Sequence, residues 1–185
     1  MACCYTDLVK RRQPCLPDMW LITDLRNDAR LERALLRMPR GSGLVFRHYH
    51  LAPAARRTRF DALARIARAR GHIVVLAGSA HEARRWGADA AYGAPARLTG
   101  GAALPRLMTA HSLREIGMAQ RIRADAILLS PVFPTRSHPG KAVLGPVRLC
   151  LLARLSRVPV IALGGMNRHR ARSLRWKKWA AIDGI

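Results

Sequence analysis

The stretch HIVVLAGSAHEARRWGADAAY, residues 72–92, contains the pattern that decides the fold. Its apolar run, 73–76, is typical of a strand that is buried on both faces of a parallel sheet. Ser79 and Glu82 then have the spacing of a capping box, which predicts a helix directly after the strand. A second apolar segment, 88–92, follows as the next strand. The stretch therefore predicts a β-α-β unit with two parallel strands joined by a helix.

The same alternation continues along almost the whole chain. The segments between strands have the apolar spacing of helices, although residues 93–105 are too rich in Gly, Pro and Ala to predict one. Eight alternating units fit either an eight-stranded βα barrel or an open doubly wound sheet. The predicted strands are residues 20–24, 44–48, 72–77, 88–92, 106–110, 126–130, 158–163 and 179–182.

The first strand-to-helix turn distinguishes between the two folds. Its sequence, TDLRND at 23–28, lacks the glycines of the dinucleotide-binding turn that is typical of the doubly wound fold. We therefore predict an α/β fold, a small (βα)8 TIM barrel over residues 19–185 that lacks a full closing helix after the eighth strand. Residues 1–18 have no such periodicity, and we expect a mobile N-terminal extension there.

The composition is strongly basic. Among 185 residues, 33 are Lys or Arg and 11 are Asp or Glu, which gives a formal net charge of +22 at pH 7. Such an excess is typical of nucleic-acid-binding proteins, but here the arginines are dispersed through the predicted helices and few aromatic residues accompany them. We expect solvated helix faces and a field that attracts small phosphorylated ligands, with nucleic-acid binding as the less favoured alternative.

Several classes of protein are excluded by the residue patterns. No run approaches the roughly 20 apolar residues of a membrane span, and residues 1–10 lack the pattern of a secretory signal, so we expect a cytoplasmic protein with no membrane partner. The four cysteines lack zinc-binding spacing. Because the few carboxylates are scattered, we predict no metal site and no cofactor.

In a βα barrel the active site lies at the carboxyl ends of the strands. Gly164 and Gly165 follow the seventh predicted strand, where the lack of a side chain lets an anion approach backbone N–H groups. Asp183 and Gly184 follow the eighth. The loops after strands seven and eight are the usual phosphate site of this fold, so these four residues predict phosphate binding. The alternative is that the adjacent glycines only form a tight turn.

A histidine lies at the end of the fifth predicted strand. His111 follows Thr109 closely and precedes the capping residue Ser112. An imidazole can accept and donate protons near neutral pH, so His111 is a candidate general acid and base. Local packing or capping is the alternative role.

The longest segment without helical or strand periodicity comprises residues 130–145. It offers the hydroxyl groups of Thr135 and Ser137 and the basic side chains of His138 and Lys141, a set that suits a phosphate or pyrophosphate ester. Long loops on a rigid scaffold are commonly functional lids, whereas a solvated surface loop has a similar composition. Both interpretations stay open from the residues alone.

Together these motifs resemble the thiamine phosphate synthase and TenI superfamily of small βα barrels. The resemblance runs in order from about residue 19 to the end of the sequence, and its most specific part is the PVFPT loop followed by the IALGGM strand end. It implies a barrel that binds a phosphorylated thiazole or pyrimidine, with the thiazole phosphate held at Gly164, Gly165 and the backbone around 183–184. The matching segments are WLITD (20–24), GADAAY (87–92), TAHS (109–112), SPVFPTRSH (130–138) and PVIALGGM (159–166).

The departures from the family pattern bear on the reaction. The synthases join an aminopyrimidine diphosphate to thiazole phosphate with Mg²⁺ held by one Asp after strand three and another after strand four, but positions 77–78 and 93–96 contain no carboxylate. The family's Gln-x-Arg-x-Lys pattern on strand two keeps only Arg47, and His138 replaces a lysine of the long loop. The loss of both carboxylates argues against the Mg²⁺-dependent mechanism.

TenI-type thiazole tautomerases need no metal, and His111 matches their catalytic histidine. The resemblance thus implies an enzyme of thiamin biosynthesis that binds thiazole phosphate and acts more as a tautomerase than as a full synthase. The alternatives are a thiamine phosphate synthase with an altered site and a barrel that binds a phosphorylated ligand without catalysis; a homo-oligomer is a further possibility. The implied ligand-binding residues are Arg47, Thr109, Thr135, Ser137, His138, Gly164, Gly165, Asp183 and Gly184.

Overall fold

The structure, a computed structural model, describes residues 16–98, 103–136, 140 and 142–183. Eight parallel strands form a closed barrel in chain order, and the eighth pairs with the first. The predicted α/β barrel is therefore confirmed. The strands are β1 (Met19–Ile22), β2 (Gly43–Phe46), β3 (Ile73–Ala77), β4 (Ala90–Gly93), β5 (Arg106–Ala110), β6 (Ala126–Leu129), β7 (Val160–Ala162) and β8 (Trp179–Ala181).

Helices connect the strands and cover the outside of the barrel. Two of them begin at the predicted capping residues, because the hydroxyl oxygens of Ser79 and Ser112 accept hydrogen bonds from the amides three residues later at 3.1 and 3.3 Å. No helix follows β8 within the described residues, whose last member is Asp183. The helices are a 3₁₀ helix (Leu25–Arg30), α1 (Leu31–Arg37), α2 (Pro53–Ala69), α3 (Ala80–Arg85), α4 (Pro95–Leu98), α5 (Leu113–Arg121), α6 (Gly145–Arg154) and α7 (Arg168–Ser173).

Strand side chains alternate between two apolar layers, as the two-residue period of a strand requires. Trp20 and Ile22 belong to the layer inside the barrel, whereas Leu21 packs with helical residues such as Leu35 in the layer outside it. The indole of Trp20 fills the interior so closely that a Cβ atom at Gly43 would lie 2.1 Å from its ring. The barrel interior around Trp20 is thus packed with side chains, which confines open space to the ends of the barrel.

Two strands end two residues earlier than the sequence pattern predicts. β1 ends at Ile22, because Asp24 instead caps the 3₁₀ helix and its backbone N donates a hydrogen bond to Asn27 Oδ1 at 2.8 Å. β2 ends at Phe46, and His48 has a φ of 40°, in the left-handed region rather than the extended one. In both places side-chain hydrogen bonds, which an apolar pattern does not register, turn the chain away from the strand.

The connection between β4 and β5 contains a helical turn that the composition does not predict. α4 begins at Pro95, a residue suited to the first turn because its missing N–H group would have no helical acceptor. Leu98 is fully buried and anchors the turn. The consequence for the site is that Arg97, within this turn, lies beside the end of β4.

Residues 16–18, part of the predicted N-terminal extension, contact the amino-terminal end of the barrel. Trp20 Nε1 donates a hydrogen bond to Pro17 O at 2.9 Å, and Trp179 N donates to Asp18 O at 2.8 Å. Residues 1–15 lie outside the described residues. None of the helices in the described part of the chain is long and apolar enough to cross a membrane.

Candidate functional site

A cavity of about 1340 Å³ opens where the strands end at their carboxyl side. The closed barrel brings residues that are far apart in the sequence together at the wall of this cavity. Three of the predicted site residues, Ser137, His138 and Gly184, lie outside the described residues. All the other predicted site residues line this one cavity, namely Arg47, Thr109, His111, Thr135, Gly164, Gly165 and Asp183.

His111 is held in one orientation at the cavity wall. Its Nδ1 atom lies 2.7 Å from the carbonyl oxygen of Ser130 and 3.3 Å from the hydroxyl oxygen of the same residue. Because a carbonyl oxygen only accepts, Nδ1 carries the hydrogen and donates it. The backbone N–H of His111 donates to the carboxylate of Glu115 in the first turn of α5. In the neutral imidazole the other ring nitrogen, Nε2, is therefore the proton acceptor.

Gly164 and Gly165 occupy positions that only glycine suits. Their φ angles are 91° and 61°, in the left-handed region. The PVFPT loop also packs directly against them, since added Cβ atoms would lie 2.6 Å from Pro131 Cα and 2.5 Å from Pro134 O. The close approach of this loop, together with the backbone conformation, explains why a glycine stands at both positions.

The amides after β7 form a cradle of hydrogen-bond donors. Within the described chain, the N–H groups of Gly164, Gly165 and Met166 have no acceptor, although all three residues line the cavity. Backbone N–H groups inside proteins are nearly always paired, and consecutive free ones in this conformation are a typical anion site. Arg170 braces the cradle by donating to Gly165 O and by stacking over the Phe133 ring at 4.6 Å.

Asp183 also lines the cavity, but its carboxylate is directed toward arginines. Its oxygens lie 3.6 Å from Arg26 Nη1 and 4.0 Å from Arg30 Nη2. The buried side-chain amide of Asn27 donates to the preceding carbonyl, Ile182 O, at 2.8 Å, and so joins the end of β8 to the turn after β1. The two arginines offset part of the charge of Asp183, which reduces its repulsion of an anion in the cavity.

Arg47 is positioned by a buried chain of hydrogen bonds. Its backbone N donates to Thr23 Oγ1 at 2.8 Å, the hydroxyl lies 2.7 Å from His48 Nδ1, and His48 Nε2 lies 2.8 Å from Asp28 Oδ1. Because the carboxylate accepts from Nε2, the Thr23 hydroxyl donates to Nδ1. These contacts hold the left-handed backbone of His48 and place Arg47 at the rim of the cavity.

This network makes stability depend on pH. Burial lowers the pKa of His48 and outweighs the opposing effect of Asp28. Burial acts to raise the pKa of Asp28, but hydrogen bonds from His48 and Arg59 outweigh it, so that this pKa is also lowered. Since both folded-state pKa values are below the unfolded ones, the contribution of each group is complete above its unfolded pKa and is lost as the pH falls.

We therefore expect the free energy of unfolding to decrease as the pH falls below about 6.5, the unfolded pKa of histidine, by at most about 1.4 kcal/mol per pH unit for this group. In the His48→Gln variant this part of the profile should flatten. Urea unfolding between pH 5 and 8 measures this free energy. The matched control is the His81→Gln variant, because His81 is exposed. Parallel profiles for the wild type and His48→Gln would contradict the expectation.

Several residues of the cavity wall were not predicted from the sequence to belong to the site. Tyr92 and Ser130 are strand-end residues, a signal that could have identified them, whereas Arg97 depends on the unpredicted turn of α4. Arg136, Arg148 and Arg170 come from loops and helices in which arginine is too common to be informative. Five arginines and one carboxylate, that of Asp183, thus line the described part of the wall, which gives the cavity a strongly positive field.

The Mg²⁺ site implied by the resemblance has no matching ligands here. A carboxylate does lie beside the end of β3, since a Cβ atom at Gly78 would be 2.3 Å from Glu82 Oε2. The other oxygen of Glu82 accepts from Arg56 Nη1 at 3.0 Å, and neither residue lines the cavity. No group of three or more His, Cys, Asp or Glu able to hold a metal occurs among the described residues. These residues do not fit a Mg²⁺ site.

Comparisons with known proteins relate the sequence to one family. A family model described as "Thiamine monophosphate synthase" matches residues 19–185. The chain is 41% identical over 59 residues to "Putative thiamine-phosphate synthase 2" of Aquifex aeolicus, an alignment that covers 32% of this chain and 32% of that protein. It is 32% identical over 75 residues to a thiamine-phosphate synthase of Pyrococcus furiosus, covering 40% of this chain and 35% of that one. The matched segments thus span about a third of each curated relative.

A solved structure shares the whole barrel. It is a thiamine phosphate pyrophosphorylase from Pyrococcus furiosus, with a TM-score of 0.73, 21% sequence identity, and coverage of 89% of this chain and 84% of that one. At this level of identity the likeness concerns the fold alone.

Proposed function

The chain belongs to the thiamine monophosphate synthase family of thiamin biosynthesis, and within it we propose that the protein is a metal-independent tautomerase that transfers a proton on the ring of a thiazole phosphate. The observation that carries the proposal is the presence of His111, with a fixed Nδ1 donor, and the glycine cradle in one cavity. A tautomerisation requires a proton carrier and a means of orienting the ring, and these two features supply both.

The phosphate binds at the amides of Gly164, Gly165 and Met166, whose N–H groups have no acceptor within the described chain. Backbone donors suit a phosphate because its oxygens accept several hydrogen bonds at once. The ring then lies between the cradle and His111, with Thr109 and Thr135 at the wall beside it.

His111 Nε2 accepts a proton from one position of the ring and returns it to another, so the enzyme ends each cycle in its initial state. While the imidazole carries the extra proton it is a cation, and the Ser130 carbonyl oxygen, 2.7 Å from Nδ1, stabilises that charge. The same hydrogen bond keeps the imidazole ring of His111 from rotating, which preserves the position of Nε2 between the two proton transfers.

A transferase that forms thiamine phosphate is the second candidate, and the printed names of the curated relatives favour it. The two reactions differ in their need for Mg²⁺, because a departing pyrophosphate is usually stabilised by a metal ion. The described carboxylates do not provide a site for one.

The test is an assay of the purified chain for both reactions, each with Mg²⁺ and with EDTA. We expect tautomerisation of thiazole phosphate at the same rate in both buffers and no condensation with the pyrimidine diphosphate. Condensation that requires Mg²⁺ would establish the transferase instead. Binding of thiazole phosphate without turnover in either assay would reduce the protein to a ligand-binding barrel.

A further inference from the structure

The outer face of α6 is apolar. On the inner face, Leu149 is buried against the barrel. Three side chains on the outer face are largely exposed, at 72%, 55% and 57% for Val147, Leu151 and Leu155. Together with the exposed Val143 they recur at every fourth position, so they form one row along the helix, which we name the α6 stripe. A helix that is apolar on both faces is normally covered on both sides.

The α6 stripe concentrates the exposed apolar surface of the protein. Half of the large apolar side chains that are exposed in the described part of the chain belong to it. The outer faces of α2 and α3 instead present arginines, such as Arg65 and Arg84. Single exposed apolar residues are common on soluble proteins, whereas a contiguous row of them marks a surface that contacts something else. The stripe therefore indicates a contact surface on this side of the barrel.

The chain that carries the stripe is rich in cations and lacks carboxylates. Residues 126–182, which include α6 and α7, contain eleven Lys or Arg and neither Asp nor Glu. Because consecutive strands are neighbours in the barrel, α5 and α7 lie on either side of α6. Both of these helices carry exposed arginines, namely Arg114 and Arg121 on α5 and Arg168 and Arg172 on α7. The stripe thus has positive charge on both sides.

An anionic lipid surface complements this arrangement. Arginines can bind the lipid phosphates while Val and Leu side chains enter the boundary between headgroups and acyl chains. A second copy of this chain, which also has a formal net charge of +22, would bring like charges together around the stripe. A nucleic acid would match the arginines but leave the apolar row exposed to water. The lipid surface is the occupant that satisfies both the charge and the apolar row.

We propose that the outer face formed by α5, α6 and α7 is a peripheral binding surface for anionic lipid. The α6 stripe enters the interface, and the flanking arginines hold lipid phosphates. The prediction of no membrane partner rests on spanning and signal patterns, whereas a helix that lies in the plane of a bilayer has neither. The surface is separate from the proposed active site, because Val147, Leu151 and Leu155 do not line the cavity.

Co-sedimentation of the full chain with vesicles tests the proposal. One set contains phosphatidylcholine alone, and the other contains phosphatidylglycerol at about one lipid in three. We expect binding to the mixed vesicles and little binding to phosphatidylcholine. Leu151→Gln should weaken binding to the mixed vesicles at least about tenfold, since it removes a side chain that enters the interface. Arg172→Gln should weaken it about fivefold, the usual effect of one cation near an anionic surface.

Matched controls lie on other helices of the barrel. Leu36 on α1 is 56% exposed, almost the same as Leu151, and Arg65 is exposed on α2. Leu36→Gln and Arg65→Gln should each change binding by less than about twofold, because charges and apolar groups farther than a Debye length of about 10 Å from the lipid contribute little. Since all four side chains are on the surface, the variants should unfold at nearly the same temperature as the wild type.

Three outcomes would overturn the proposal. The first is no binding of the wild type to the mixed vesicles at physiological ionic strength. The second is binding that Leu151→Gln does not weaken, or that Leu36→Gln weakens equally, since net charge or general surface properties would then explain it. The third is a wild-type dimer in size-exclusion chromatography that Leu151→Gln separates into monomers, because the stripe would then join two copies of the chain.

Discussion

Replacement of His111 by Gln is expected to lower kcat for the proposed tautomerisation by about 10²–10⁴-fold, the usual contribution of a positioned general acid and base. Glutamine preserves the polarity of the site and can donate to the Ser130 carbonyl, but it cannot carry a proton at neutral pH. The KM for the thiazole phosphate should change by less than about threefold, because the proposed binding mode assigns most of the binding energy to the phosphate cradle. Steady-state kinetics measures both constants.

His81→Gln is the matched control, since His81 is exposed on α3 and does not line the cavity. It should have wild-type kinetics. If His111→Gln retains full turnover, His111 has a structural role at the start of α5 and the proton carrier is another group.

Replacement of Gly165 by Ala is expected to raise the dissociation constant for inorganic phosphate, and the KM for the phosphorylated substrate, by about 10²-fold. The new Cβ atom would lie 2.5 Å from Pro134 O on a backbone whose φ is 61°, so the cradle must shift away from the loop. Loss of one or two hydrogen bonds to a charged group, each worth about 1.5–3 kcal/mol, accounts for a change of this size.

The control for this variant is Gly71→Ala. Gly71 has a φ of 70°, similar to that of Gly165, but nothing lies within 4 Å of an added Cβ atom there. It should lose stability through backbone strain alone, and therefore less than Gly165→Ala, while it retains phosphate affinity. Calorimetry and thermal unfolding of the two variants separate strain from ligand binding; equal phosphate affinity in both would refute the cradle.

The sequence predicts the barrel well because each β-α unit carries its own signal. The apolar run of β3 and the capping serine after it suffice to identify one unit, and eight repeats leave few alternative folds. Gly164 and His111 could be placed at the cavity for the same reason, since position at a strand end is itself the prediction.

The features that the sequence does not reveal depend on contacts between distant segments. The chain from Thr23 through His48 to Asp28 joins residues of two β-α turns, and neither turn alone indicates that a hydrogen-bond network holds Arg47. Arg97 is one arginine among many, and only the short α4 turn places it at the cavity. Long-range hydrogen bonds and short helices leave no periodic trace in the chain.

The pairing of β8 with β1 has a consequence for how the protein folds. Lys178 donates to Asp18 across a separation of 160 residues, and Asn27 joins the end of β8 across 155. Contacts between such distant parts of a chain form slowly, because the loop entropy is lost before the contacts compensate for it. We therefore expect barrel closure to be the last step of folding, so that an open intermediate would precede any ability to bind phosphate.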